Sequence, residues 1–225
     1  MPDPDDLDAW KAVDARVIEG LVEAVHGLIN DTTMAEYFGS VAGAEELLNK
    51  FEEHGAQASY IDWLAFSYRR SRRARSVAQE LLEVDLPKAD KSLLASRAAA
   101  VPTLCRVVGA GDDPIVNLED IFTGDMVEVH DRMMAEGVRR SKTTDMIVPV
   151  RYYAAGNFTF LAMVGPSFSD IHLSHVLEFL EDEGLRPTDR GFERKHHLLG
   201  RLWLWLDKQH RAPPPKLNNT DNEPM

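Results

Sequence analysis

Ile115-Val-Asn-Leu-Glu-Asp-Ile-Phe-Thr-Gly-Asp-Met-Val-Glu-Val-His130 decides the fold of this chain. Val116 and Leu118 alternate with Asn117 and Glu119, and Val127 and Val129 alternate with Glu128 and His130. Alternation at period two on both sides of Thr123-Gly-Asp125 reads as two strands of a hairpin, Ile115–Phe122 and Met126–His130. Upstream lies a strand over Leu104–Val108, followed by the loop Gly109-Ala-Gly-Asp-Asp-Pro114. Downstream, Asp131–Thr144 is polar and irregular, with one helical turn at most. Asp145–Tyr153 is a fourth strand, and Pro149, which has no N–H to give a ladder, predicts an edge position for it. Gly156-Asn157 is a tight turn into a fifth strand, Phe158–Val164. Five short antiparallel strands in roughly 65 residues suit a small, strongly curved barrel of the OB or SH3 kind.

Helices flank this barrel on both sides. After Asp5 and Asp6, which can cap a helix start, Trp10, Val13, Val17, Leu21, Ala24, Val25 and Leu28 recur at three- and four-residue steps. Thr33-Met-Ala-Glu36 has capping-box spacing and opens a short helix to Gly39, and Glu45–Glu53 is another, stopped by Gly55. Tyr60, Trp63, Leu64 and Ser67 line a fourth. Ser76-Val-Ala-Gln79 caps a fifth that Pro87 breaks, and Lys88–Ala99 forms a sixth. Beyond the barrel, Ser169 caps a helix striped by Leu173, Val176, Leu177 and Leu180. Pro187 and Thr188 start a last helix whose Leu198, Leu199, Leu202, Trp203, Trp205 and Leu206 are too broad a band for a surface helix. It should be buried on two sides, by this chain's core or by a partner subunit. Burial of Trp203 there predicts a cost of about 3–5 kcal/mol for Trp203→Ala. The fold class is therefore α+β: a helical region over 1–100, the small five-stranded antiparallel barrel over 101–168, two C-terminal helices over 169–210, and a flexible tail over 211–225.

A chain of 225 residues can bury a core without staples. Its one cysteine, Cys105, excludes an intramolecular disulfide and leaves a cysteine-based structural zinc site without its ligands. The acidic start Met1-Pro-Asp-Pro-Asp-Asp6 lacks the basic-then-apolar pattern of a secretory signal, and no segment has the apolar length of a membrane span. These features predict a cytoplasmic protein. The formal net charge of −12 disfavours a general nucleic-acid coat. The charge is unevenly spread, however. Phe66–Arg106 carries nine Arg and Lys against four Asp and Glu, whereas the whole chain carries 25 against 37.

Two stretches resemble a known group. Tyr60-Ile-Asp-Trp-Leu-Ala-Phe-Ser-Tyr-Arg69 resembles an aromatic helix of uncharacterised bacterial proteins that often carry a SEC-C zinc motif. Leu118-Glu-Asp-Ile-Phe-Thr-Gly-Asp-Met-Val-Glu-Val-His-Asp131 resembles the hairpin that follows it in those proteins, and the resemblance runs over roughly Ser59–Gly165. It implies a fold and no activity. The SEC-C cysteines are absent here, so their zinc is not carried over, and the Gly-Asp that precedes the fourth strand in that pattern is Thr144-Asp145.

Three clusters could carry chemistry. Arg69, Arg70, Arg72, Arg73 and Arg75 follow Tyr60, Trp63, Phe66 and Tyr68, and guanidinium forks beside aromatics suit phosphate and bases. The alternative is a solvated helix end, where cations are favoured by the helix dipole. His172, His175 and Glu178 share a helical face and could ligate a metal if His196 or His197 completed the set; otherwise they are surface residues. Glu128 and His130 point the same way on a strand and, with Asp131 and Arg132, could do acid–base work, or else form the polar outside of a barrel. Gly109-Ala-Gly111 is no dinucleotide fingerprint, and Cys105 reads as a small buried residue. No catalytic residue and no cofactor is assigned. The reading is a non-catalytic binding or interaction module. A nucleic-acid-binding protein using Arg69–Arg75 and an enzyme of unrecognised type are the alternatives. A protein partner or self-association through the last helix is a further expectation, and a membrane is not.

Overall fold

The first helix forms where its cap and stripe predict it. Asp6 Oδ1 accepts from the Ala9 N–H at 2.9 Å, and α1 (Leu7–Val25) buries Trp10, Val13, Val17, Leu21 and Val25 along one face. The computed structural model describes residues 1–49, 54–141, 144–163, 165–185, 191–193 and 195–211. Pro187, Thr188 and the tail beyond 211 lie outside them.

Five more helices follow. The second, α2 (Asp31–Phe38), starts three residues earlier than Thr33-Met-Ala-Glu36 indicates. Asn30 is its cap, in a reciprocal pair with Thr33, whose hydroxyl is buried. Ser40 caps α3 (Val41–Leu48). Gly55 stops no helix. It lies in the first turn of α4 (His54–Phe66), where a Cβ would stand 3.1 Å from the Trp203 indole. The Ser76–Gln79 capping box opens α5 (Val77–Leu81), and α6 spans Lys88–Ala99.

The barrel strands are β1 (Thr103–Ala110), β2 (Ile115–Asp120), β3 (Met126–His130), β4 (Met146–Ala155) and β5 (Phe158–Met163), in the order β3-β2-β1-β4-β5. Every pairing is antiparallel, and the sheet nearly closes into a barrel. Across the seam, His130 Nδ1 lies 3.3 Å from the Thr159 carbonyl, and its ring meets Phe158 edge-on. Pro149 marks no edge, because β4 lies between β1 and β5. One flank of β4 pairs with β1, Pro149 opposite Leu104. On the other flank the ladder passes from β5, which ends opposite Val150, to the two-residue β6 (Phe168–Ser169), opposite Ile147. The proline falls in that gap.

The stretch Asp131–Thr144 is more regular than its polarity implies. Asp131 Oδ1 accepts from the Met134 N–H at 2.8 Å and caps α7 (Arg132–Ser141), a helix that buries Ala135 and Val138. These two residues join the inward-facing Cys105, Val107, Val116, Leu118, Val129, Val148 and Val150 in a second apolar cluster inside the barrel.

The outward residues Leu104, Ile147, Tyr153, Ala155 and Phe160 belong instead to the main core shared with the helices. After β6 a 3₁₀ turn leads into α8 (Leu173–Asp182), with no side-chain cap from Ser169. Then α9 (Leu198–Arg211) runs against α2, α3, α4 and α8. A Cβ on Gly200 would stand 2.5 Å from the Tyr37 carbonyl, so α2 and α9 approach this closely only with glycine there. The broad apolar band of α9 is thus covered from two sides within the chain: Trp205 stacks on Phe179 of α8, and Trp203 lies against Gly55. Trp203 is half-buried, so the full 3–5 kcal/mol of a core tryptophan no longer applies to it.

Candidate binding groove

Positions 14, 18, 21 and 22 share one face of α1, and positions 58, 61, 62, 65 and 66 share one face of α4. The two faces stand over β5 and enclose a cavity of about 330 Å³. Its walls are Ile18, Leu21, Val22, Ala58, Ile61, Ala65, Phe66, Leu161 and Ala162; its polar groups are Asp14, Asp62, Arg97 and Tyr153. Ile18 and Val22 keep 38% and 42% of their surface exposed at the mouth, although both are large and apolar.

Beneath the walls lies a buried ionic network. Asp62 Oδ2 accepts from Arg151 Nε at 3.1 Å and from its Nη2 at 2.9 Å, with both side chains at most 5% exposed. Arg151 Nη1 also donates to the Ala100 carbonyl. Arg97 Nη1 donates to Asp14 Oδ1 and to the Tyr153 hydroxyl, at 3.2 Å each, and Tyr153 donates to Asp14 at 2.8 Å. Phe66 sits beside both guanidinium groups, 4.7 Å from that of Arg151 and 5.8 Å from that of Arg97. Ser67 Oγ and His196 Nδ1 are 2.7 Å apart, and His196 Nε2 is 3.5 Å from Asp62 Oδ2.

The electrostatics of these groups follow from burial and neighbours. Burial pushes the Asp62 carboxyl up, but the charge and hydrogen bonds of Arg151, with the charge of Arg97, outweigh it, and the group is held below the usual carboxylate range. Burial drives His196 down to about 3, against a smaller upward pull from Asp62, so the ring is neutral. Burial raises the Tyr153 phenol, which stays protonated. The formal charges of Asp14, Asp62, Arg97 and Arg151 cancel.

The network leaves three atoms over. Asp62 Oδ1, Arg97 Nε and His196 Nε2 are buried without a hydrogen-bond partner among the described residues. A buried polar atom left unpaired costs about 1–3 kcal/mol. Asp62 and Arg97 line the cavity, but these atoms themselves are closed off from solvent.

The clusters singled out in the sequence are placed elsewhere. Arg69 to Arg75 form the loop between α4 and α5 and no helix end. Arg69 turns back to the carbonyls of Phe66 and Tyr68 at 3.3 and 3.1 Å, and Arg75 pairs with Glu83 at 3.0 Å. Arg70, Arg72 and Arg73 are exposed and have no ion-pair partner among the described residues. The upstream aromatics cannot serve as a stacking platform beside them: Tyr60, Trp63 and Phe66 are buried, and Trp63 packs on Tyr37 and Tyr68.

His172, His175 and Glu178 line a groove of about 650 Å³ between α8 and α9, together with Trp205 and Gln209. His196, one of the two candidates to complete a metal set, is in the buried network instead. No group of three or more His, Cys, Asp or Glu among the described residues is arranged to hold a metal ion. The Glu128–Arg132 cluster is dispersed into local roles. His130 closes the barrel seam, Asp131 caps α7, Arg132 faces Asp113 at 3.4 Å, and Glu128 is exposed. Cys105 is buried inside the barrel, which raises its thiol far above the usual range.

Sequence reasoning passed over Asp14, Asp62, Arg97, Arg151 and Tyr153. A signal was present: Asp62 interrupts Tyr60-Ile-Asp-Trp-Leu, and Arg151 interrupts Ile147-Val-Pro-Val-Arg-Tyr-Tyr, each a charge inside an apolar run. No protein-family model, curated protein or solved structure matches the chain.

Proposed function

We propose that this protein is a non-catalytic binding module whose recognition site is the groove between α1, α4 and β5. The observation that carries this reading is a cavity whose apolar walls, with Ile18 and Val22 exposed at its mouth, surround four placed polar side chains, Asp14, Asp62, Arg97 and Tyr153. Small-ligand sites combine apolar walls with a few placed polar groups, in cavities from ~300 Å³ upward. The polar groups here suit hydrogen bonding better than proton transfer. A carboxylate held below its usual range is a weak base, and a histidine near 3 does not take up a proton at neutral pH. The test is a fragment screen on the full chain, read by backbone amide shifts. Hits that converge on Ala58, Ile61 and Ala162 support the reading, and hits scattered over other surfaces contradict it.

A second reading, nucleic-acid binding through the α4–α5 loop, is favoured by one observation: Arg70, Arg72 and Arg73 are exposed together without ion-pair partners among the described residues. It retains three of the five arginines in the cluster.

A further inference from the structure

The groove between α8 and α9 measures about 650 Å³ and has Phe179, Trp205 and Leu206 as its apolar walls. Glu178 and Asp182 line it too, four positions apart on α8 and so on one face of that helix. Both carboxylates are exposed, and neither has an ion-pair partner among the described residues. Among those residues no Arg or Lys lines the groove. We propose that this groove binds a small organic cation, an alkylammonium whose apolar body lies against Trp205 and whose head meets Glu178 and Asp182. The site is independent of the groove between α1, α4 and β5.

Charge selects the sign of the ligand. Asp182 is the last residue of α8, where the negative end of the helix dipole disfavours a carboxylate. The chain's own cations at this end are placed elsewhere. Arg201 pairs with Glu183, and Lys195 Nζ stands 2.5 Å from where a Cβ on Gly184 would be. Glu178 and Asp182 therefore keep a charge that a cation from outside the chain can balance. The formal −12 of the whole molecule acts in the same direction, attracting cations and repelling anions. The walls select an organic cation over a metal ion. Trp205 and Phe179 stack at 5.1 Å and offer ring surface, which attracts an ammonium but gives a metal no oxygen or nitrogen ligand. The size selects a small molecule, since sites for such ligands run from roughly 300 to 1,000 Å³.

The experiment titrates four probes into the full chain at pH 7.5 and constant ionic strength, with backbone amide shifts as the readout. They are cyclohexylmethylammonium, its uncharged counterpart cyclohexylmethanol, cyclohexanecarboxylate, and the lysine peptide acetyl-Gly-Lys-Gly-amide. The ammonium is expected to bind about tenfold more tightly than the alcohol, with shifts at Phe179, Asp182, Leu206 and Gln209, and the carboxylate is expected to stay out. Glu178→Gln with Asp182→Asn should bring the ammonium down to the affinity of the alcohol. The same variant should leave the alcohol's own affinity unchanged and should not lower the melting temperature, because both residues are exposed. Glu178→Gln alone repeats the test, with a smaller loss, if the double variant lowers that temperature. Equal binding of ammonium and alcohol, or an ammonium affinity that survives loss of both carboxylates, overturns the proposal. Tighter binding of the peptide than of the free ammonium overturns the small-molecule occupant in favour of a lysine on a protein partner. Ammonium shifts on other surfaces only, or none, overturn the site itself.

Discussion

Asp62 and Arg151 are the residues on which core and groove both depend. Each is almost fully buried, and each is the other's main partner. Removing one side of such a pair strands the other charge, so Asp62→Leu should lower unfolding free energy by about 3–5 kcal/mol. Replacing both at once removes the stranded charge. Asp62→Leu with Arg151→Met is therefore expected to recover most of that loss in a denaturant titration. A double variant as unstable as the sum of the two singles would show that they are not coupled in this way.

His196 adds a pH dependence. Its folded value, about 3, lies below the 6.5 of the unfolded chain. Between those values the unfolded state holds a proton that the folded state does not, so stability falls as pH drops. The loss begins near pH 6.5 and approaches about 1.4 kcal/mol per pH unit below it. Asp62 acts in the same direction lower down: its folded value is depressed, so its contribution goes as pH falls through the acid range. His196→Gln should flatten the upper part of the profile, and an unchanged slope between pH 6 and 4 would remove His196 from the account.

Single elements differ in how legible they were, for physical reasons. The stripe of α1 was readable because five of its residues enter the core at helical spacing. The hairpin from β2 to β3 was readable because its turn chemistry is local. Asp120, 3% exposed, accepts from the N–H groups of Phe122 and Thr123 and from the hydroxyls of Thr103 and Tyr152, which fixes the turn into Gly124 at φ 74°. The bonds from Phe122 and Thr123 account for Asp120 ahead of Thr123-Gly124 in this hairpin. The helix α7 was hidden because its buried face is only Ala135 and Val138, too small to mark a period in a run that also carries Arg132, Glu136, Arg139 and Arg140. Pro149 misled for a non-local reason, since the gap it occupies lies between the end of β5 at Met163 and the start of β6 at Phe168, more than ten residues downstream. The groove was illegible in the same sense. Its polar residues come from α1, α4, α6 and β4, and only the fold brings them together.

At the scale of the whole molecule, charge decides what the arginine loop can do. The chain carries a formal −12, and phosphate is repelled by most of such a surface. Three exposed arginines on one turn are the local exception. With Arg69 committed to backbone carbonyls and Arg75 to Glu83, at most these three are placed to neutralise phosphates. Counter-ion release from a single strand then predicts a slope of log K against log salt of about −2, since each contact contributes roughly −0.7. With the neighbouring aromatics buried, there is little stacking to add salt-independent affinity, so binding should vanish by moderate salt. Titrating labelled single-stranded RNA and DNA at low and moderate salt, beside an Arg70→Ser/Arg72→Ser/Arg73→Ser variant, checks both points. A slope near −2 that disappears in the variant makes the loop a weak nucleic-acid contact. A much steeper slope would mean that basic residues outside the loop take part, against the charge pattern described. No binding even at low salt, where attraction is strongest, removes the nucleic-acid reading and leaves the groove between α1, α4 and β5 as the proposed recognition site still to be tested by the fragment screen.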